Sequence, residues 1–442
     1  QVPIRSARGC RHPVRRPRDI SQTAAMACAL PAKVEDAAAQ EAEIRRKEEI
    51  ETNLVLSYGI FMTAVTMVVP TRAPMVLGIQ RGDAAATART MGLMSSCAAA
   101  LELFLNPVFG RLSDKFGRKP FLLFAPTLDA FLHILVGAFP QSLKLNFLDR
   151  MITGSMIFSF IAPVNAALVD LWGAGEHLVP RLARAQMFFG VGAAIGPFIG
   201  SKLGGARSFQ ASAMMFLATT AWLWHKFPET LRPENKKEFD LAACTPWRFL
   251  RLFKDKTTAT LATTIGLQSF GDYINIYDIN FLYLRTVMDF GQAQVGNFAT
   301  CVGLSQIVNG KFMKTLSQEV GGKKATLISN IAWILAMGCL GTSRNVFKLG
   351  LALLLMAGGH QRATAVSSYL QVAGKDIGMG SAEIEGAKAN FTAVLKVFVP
   401  ILYGNLFAFF TSKGRNFPGA PYFLIAALTA MSQVTFSTVP NK

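Results

Sequence analysis

Ten ionisable side chains fall inside stretches of this chain that are otherwise apolar: Glu102, Asp129, His133, Asp149, Arg150, Asp272, Asp278, His360, Arg362 and Lys396. A charge at bilayer depth is expensive and is kept where it faces a cavity, a partner or an ion path. A carboxyl group in such surroundings can hold a proton and be returned to the anion by a nearby cation, which is the chemistry of a proton carrier. Glu102, Asp129, Asp272 and Lys396 are the candidate proton or substrate site. Asp129 and His133 stand four residues apart, share a helix face and can hydrogen-bond, as a structural pair or a proton site. After Asp272 come Tyr273, Asn275, Tyr277 and Asp278, a stretch polar enough to line a cavity. Lys396 can pair with Asp272 or contact an anionic substrate, and the sequence leaves both open. No nucleophile–base grouping, metal spacing or phosphate loop accompanies these residues, so neither an enzyme, a metal nor a cofactor is expected.

A second cluster of chemistry lies at 110–120, "GRLSDKFGRKP", where Arg111, Lys115, Arg118 and Lys119 surround Asp114 between two apolar runs. Gly110 and Gly117 suit a sharp reversal between helices. The basic residues suit an anionic leaflet, and Asp114 needs a cation or a helix N-terminus as partner.

The elements that hold these residues follow from composition. Of 442 residues 51% are hydrophobic and 16% charged, with a mean hydropathy of +0.33. A soluble chain carries about 25% charged residues. Runs long enough to cross ~30 Å of hydrocarbon recur twelve times, at about 53–72, 91–110, 120–139, 145–171, 183–203, 208–228, 257–284, 291–313, 324–343, 347–370, 385–411 and 418–438. The expected fold is all-α and polytopic, since only helices satisfy the backbone across so many spans. The net charge of +18 is not a nucleic-acid signature. With the N-terminus inside, inward junctions carry 19 basic residues and outward junctions 11, a bias that places both termini in the cytoplasm. The six cysteines show no metal spacing and read as packing residues.

Residues 1–52 are expected to be a cytoplasmic segment, either a leader or a disordered tail; residues 1–33 hold seven basic residues and one acid. A charged, solvated helix at 35–51 leads into the first span. Residues 53–228 and 257–442 form two six-helix halves joined by a cytoplasmic linker at 229–256. "LSDKFGRKP" at 112–120 lines up with "LSQEVGGKK" at 316–324, an offset of 204, and Pro197 with Pro400 at 203. Together these argue for duplication.

Gly110, Leu112, Ser113, Asp114, Lys115, Gly117, Arg118 and Lys119 fill the pattern G-x-L-[AS]-D-[KR]-x-G-R-[KR], which resembles the loop between helices 2 and 3 of the major facilitator superfamily. "RMITG" resembles that family's helix 4 motif, giving Arg150 and Gly154. "GVGAAIGPFIGSKLGG" is similar to the helix 5 pattern of drug/proton antiporters, giving Gly192, Gly196, Pro197 and Gly200, with Ser201 where the pattern has a second glycine. "FPETL" at 227–231 looks like the end of helix 6 in tetracycline-type antiporters. The resemblance implies twelve helices in two pseudo-repeated halves. It implies that Asp114 latches onto the start of helix 11 around Ser381, with Glu383 and Glu385 repelling it unless they pair with Arg118 or Lys119. It also implies an acid in helix 1 beside the helix 4 arginine; here the first span, 53–70, has no acid, so if proton coupling survives, Glu102, Asp129 or Asp272 must replace it.

The expected function is secondary active transport of a small organic solute by alternating access, proton-coupled and favouring antiport. The alternatives are an uncoupled facilitator of a sugar or metabolite, or a non-transporting scaffold on the same fold. The expected partners are the solute, protons and the lipid bilayer, with no nucleic acid, and the expected state is a monomer.

Overall fold

The computed structural model describes residues 20–173, 178–236, 238–239, 245–360, 362–412 and 416–439. Cys10, Cys244 and the first 19 residues of the basic leader lie outside these. So do the side chains of Cys28, Tyr273, Lys311, Lys314 and Ser381. Two units are distinguished, 1–50 and 51–442. In the first, Glu41 with Arg45 and Glu43 with Lys47 pair at i,i+4 along an exposed helix, as the charged stretch at 35–51 leads one to expect.

In chain order the helices are α1 (Ile20–Met67), α2 (Val69–Ile79), α3 (Ala84–Phe116), α4 (Lys119–Ala138), α5 (Leu143–Trp172), α6 (Leu178–Leu203) and α7 (Gly205–Lys226). A 3-10 helix (Pro246–Phe253) precedes α8 (Lys256–Phe270), α9 (Tyr273–Thr286), α10 (Gln292–Val320) and α11 (Gly322–Gly341). The chain ends with α12 (Val346–Gly359), α13 (Ala363–Asp376), α14 (Ser381–Thr411) and α15 (Ala420–Ser437). No strand occurs among the described residues. Starts follow local chemistry: Asp83, Ser142, Asp255 and Asn345 each cap a helix by accepting a backbone N–H. Pro70 and Pro120 occupy first-turn positions where a missing N–H does no harm.

Among the described residues twelve crossings result, of which eight are long and apolar enough on composition alone. Three are built from two helices. Crossing one breaks at Val68, crossing seven at Gly271 and Asp272, and crossing ten between α12 and α13. Asp272 stands 204 residues after Val68, the interval that also separates Leu316 from Leu112. So the breaks in crossings one and seven fall on equivalent positions of the suspected repeat. Crossings two and eleven (α3 and α14) lie along each other, as do crossings five and eight (α6 and α10).

The structure corrects one expectation about the loop. Gly110 lies within α3, with open space around its Cα, because the helix runs to Phe116. The reversal rests on Gly117 alone, at φ +112, a value that disfavours any side chain.

Candidate functional site

A cavity of about 450 Å³ lies among α1, α3, α5, α6, α9 and α14. Its wall is largely apolar, with Tyr58, Phe158, Phe189 and Phe216 prominent, and Pro197 of α6 on one side. Into it project Glu102, Arg150, Asp278 and Lys396. A second cavity of about 870 Å³ lies toward the end of α3 that carries the loop motif, lined by Asn106, Glu383 and Asn390 among others. Both cavities include Glu102, Phe158 and Lys396 in their walls. Lys396 Nζ is 3.5 Å from Glu102 Oε1 and lies 4.7 Å from the centre of the Phe158 ring. The partner of Lys396 is thus Glu102 on α3, not Asp272.

Arg150 belongs to a cluster of three polar side chains in the central cavity. Its Nη2 donates to Ser95 Oγ at 3.1 Å and stands 3.4 Å from Asp278 Oδ2; Ser95 donates to the same Oδ2 at 2.5 Å. The acid beside the helix 4 arginine therefore comes from α9, in crossing seven, where sequence reasoning looked to Glu102, Asp129 or Asp272. Asn275 and Tyr277 line the same cavity, and the side chain of Tyr273 lies outside the described residues. A Cβ on Gly154 would meet Arg150 Nη1 at 3.1 Å and the Ala98 Cβ at 2.9 Å. The helix 4 glycine thus makes room for the arginine one turn before it.

Asp272 sits in the break between α8 and α9, rather than deep in one continuous helix, and pairs with Arg362 at 3.2 Å. Arg362 is almost fully buried, donates to Gln268 O at 2.6 Å and stacks on Trp333. The expected Asp129–His133 bond is absent. His133 Nδ1 meets Ser212 Oγ of α7 at 2.9 Å, and Nε2 lies 3.4 Å from Asp149 Oδ1 of α5. The packed neighbours α5 and α7 supply closer partners than the residue one turn back. Asp149 in turn holds Arg72 at 2.6 Å with both side chains buried. Asp129 is fully buried, and neither of its carboxyl oxygens has a hydrogen-bond partner.

In the loop, Arg118 Nη1 donates to Asp114 Oδ1 at 2.6 Å and to Ser113 Oγ at 3.0 Å, while Nε donates to Asp170 Oδ2 at 3.0 Å. Burial works against the guanidinium charge, and the carboxylates of Asp170 and Asp114 outweigh it, holding Arg118 above its ordinary value. Glu229, from "FPETL", accepts the backbone N–H groups of Arg118 and Lys119 at 2.8 and 3.1 Å, the opening of α4. Lys119 Nζ donates to Trp224 O at 2.9 Å; Lys115 is exposed and Leu112 half-buried. Asp114 is therefore held within its own loop. Glu383 pairs with Arg251 and Glu385 with Lys388, not with Arg118 or Lys119. Neither Glu229 nor Asp170 was singled out from sequence; a carboxylate placed just after the sixth span was the one available signal.

Along α6, Gly192, Gly196 and Gly200 face α1 so closely that a Cβ on each would overlap the carbonyl oxygens of Gly59, Thr63 and Met67. Such backbone contact is what small-xxx-small spacing permits. Ser201, which departs from the pattern, sits against Gly296 of α10, where a Cβ would overlap the serine side chain.

The family profile described as Major Facilitator Superfamily matches residues 54–382. The tetracycline resistance protein, class H, of Pasteurella multocida is 26% identical over 362 residues, covering 78% of this chain and 85% of its own. The human hippocampus abundant transcript-like protein 1 is 23% identical over 382 residues, covering 79% and 73%. Among solved structures, the nucleoside transporter NupG superposes with a TM-score of 0.68 at 15% identity, over 90% of this chain and all of its own. A human organic anion transporter superposes with a TM-score of 0.61 at 18% identity, over 88% and 99%. With the matched profile covering most of its length, the chain belongs to the Major Facilitator Superfamily and is a multi-pass membrane transporter.

Proposed function

We propose that the protein is a secondary transporter of a small amphipathic organic solute, working by alternating access and exchanging the solute for protons. The observation that carries this reading is the Ser95–Arg150–Asp278 cluster, an ion pair inside the central cavity that links α3 and α5 to α9. A proton taken up by Asp278 cancels its attraction for Arg150, and the arginine is then free to turn to a solute. In this proposal the missing acid of crossing one is replaced from crossing seven. An aromatic wall with separate cationic and anionic groups suits a solute with a flat apolar body and polar substituents. The names of the relatives, which include tetracycline, nucleoside and organic anion transporters, support an organic solute.

Alternating access would move the two six-helix halves, 53–228 and 257–442, about this cavity. The 870 Å³ cavity would be the cytoplasmic mouth, with Glu102, Phe158 and Lys396 as the partition between mouth and site.

Proteoliposomes with an imposed pH gradient and a panel of labelled organic solutes test the reading. Gradient-driven accumulation is expected for wild type. Asp278→Asn is expected to leave solute exchange intact and abolish accumulation. Accumulation that survives in Asp278→Asn would remove the residue from the proton path. The absence of an acid in crossing one favours a second reading, uncoupled facilitation. Its signature is equilibration indifferent to the gradient in wild type.

A further inference from the structure

The linker 3-10 helix, Pro246–Phe253, is long for that geometry, in which residues three apart stand one above another. The period sorts its side chains into rows. Phe249 and Leu252 are buried, against α8, α13 and α14. Trp247, Leu250 and Phe253 form a second row and are 51, 57 and 40% exposed. Arg251 and Lys254 stand in a third row, both exposed. Three large apolar side chains in one exposed row mark a binding surface.

We propose that this helix is an in-plane membrane anchor: the Trp247–Leu250–Phe253 row enters the leaflet, and Lys254 meets anionic phospholipid headgroups. Position and charge argue for lipid over a protein partner. Lys256, three residues beyond Phe253, opens α8, a membrane crossing, so the helix lies where the chain enters the bilayer. An apolar row flanked by a basic row is the pattern of interfacial helices, and basic side chains at that level are drawn to anionic lipid. The anchor also bears on transport. Arg251 pairs with Glu383 at the start of α14. The Phe391 ring of α14 packs 5.6 Å from Phe249 and 5.3 Å from Phe253. Thr245, just before the helix, shares the wall of the 870 Å³ cavity with Glu383 and Asn390. Docking therefore steadies one wall of that cavity and links its position to the lipid composition of the leaflet.

The test uses the full chain with its six cysteines replaced by alanine and a fluorescent thiol label at Leu250→Cys. Arg232→Cys is the aqueous control and Leu354→Cys, exposed on α12, the lipid-facing control. The proteins are reconstituted in phosphatidylcholine with and without phosphatidylglycerol. Brominated lipid is expected to quench the label at 250 nearly as strongly as at 354, and aqueous iodide to quench it far less than at 232. Lys254→Gln is expected to lower the docked-to-undocked ratio roughly fivefold in phosphatidylglycerol bilayers, the effect of one basic residue at an anionic surface, and to change little without it. Quenching like that at 232 would overturn the proposal. Shielding from both quenchers would overturn it too, since the row would then be covered by protein, whether a second copy or another partner. The readout does not depend on transport, so its failure is distinguishable from failure of the proton-coupled reading.

Discussion

Arg72 and Asp149 face each other at 2.6 Å with almost no exposure, so each is the other's buried counter-ion. Removing one partner of such a pair costs ~3–5 kcal/mol, because the survivor is left buried and unpaired. Asp149→Asn is therefore expected to lower the melting temperature in detergent sharply, read by size exclusion after heating. Asp129 is the opposite case: its oxygens have no partner to lose, and an unpartnered anion in the interior is itself unfavourable. Asp129→Asn, of the same shape and neutral, is expected to leave the melting temperature unchanged or raise it; a drop matching that of Asp149→Asn would contradict the geometry. Both acids are visible in the sequence, yet nothing in it separates them. Periodicity gives the face of a helix, and it paired Asp129 with His133. The choice of His133 for Ser212 and Asp149 is made by α5 and α7, packed against α4 from elsewhere in the chain. The loop motif was legible for the complementary reason: its spacing is local. Its completing carboxylates, Asp170 and Glu229, lie 52 and 111 residues from Arg118.

At the scale of elements, α6 is held at two distances by glycine. Against α1 it approaches to backbone contact through Gly192, Gly196 and Gly200; against α10 the glycine is on the partner, Gly296, and α6 supplies Ser201. The helix 5 pattern thus keeps its spacing while one small residue moves across the interface. A methyl group at Gly296 would collide with Ser201, and overpacking of this kind costs typically ~1–3 kcal/mol. Gly296→Ala is expected to destabilise by that amount, and Ser201→Gly to recover only part of the loss in the double variant, because the new methyl would still lie 2.8 Å from the Pro197 carbonyl oxygen. A cycle of melting temperatures measures it; additive losses would show that the two residues do not share the contact. Twelve crossings and the family motifs could be read from hydropathy and spacing. The breaks at Val68 and Asp272 were not read: Pro70, just after Val68, was the available signal for the first, and at Asp272 the dihedral angles, φ −65° and ψ 130°, record the change of direction.

At the scale of the molecule, the question is which state the helices have adopted. The two long helices α3 and α14 touch backbone to backbone where Gly92 meets Pro400 and Ala88 meets Gly404. Toward their other ends a cavity of about 870 Å³ separates Asn106 from Asn390. Asp114 is occupied by Arg118, and Glu383 and Glu385 have partners of their own. An arrangement closed at one end of α3 and open at the other is one of the two states that alternating access requires. The latch implied by the loop motif would belong to the other state, in which α14 closes on α3 and Asp114 exchanges Arg118 for the first turn of α14. The two states then compete for one carboxylate, and removing its charge shifts their ratio by the difference in strength between its two contacts. A cysteine at Asn390 reports the open cavity through its rate of reaction with a water-soluble thiol reagent. Asp114→Asn is expected to raise that rate several-fold in proteoliposomes, through a larger population of the present state. An unchanged rate would mean that Asp114 contributes equally to both states, leaving the loop a fixture of the turn rather than part of the moving contact.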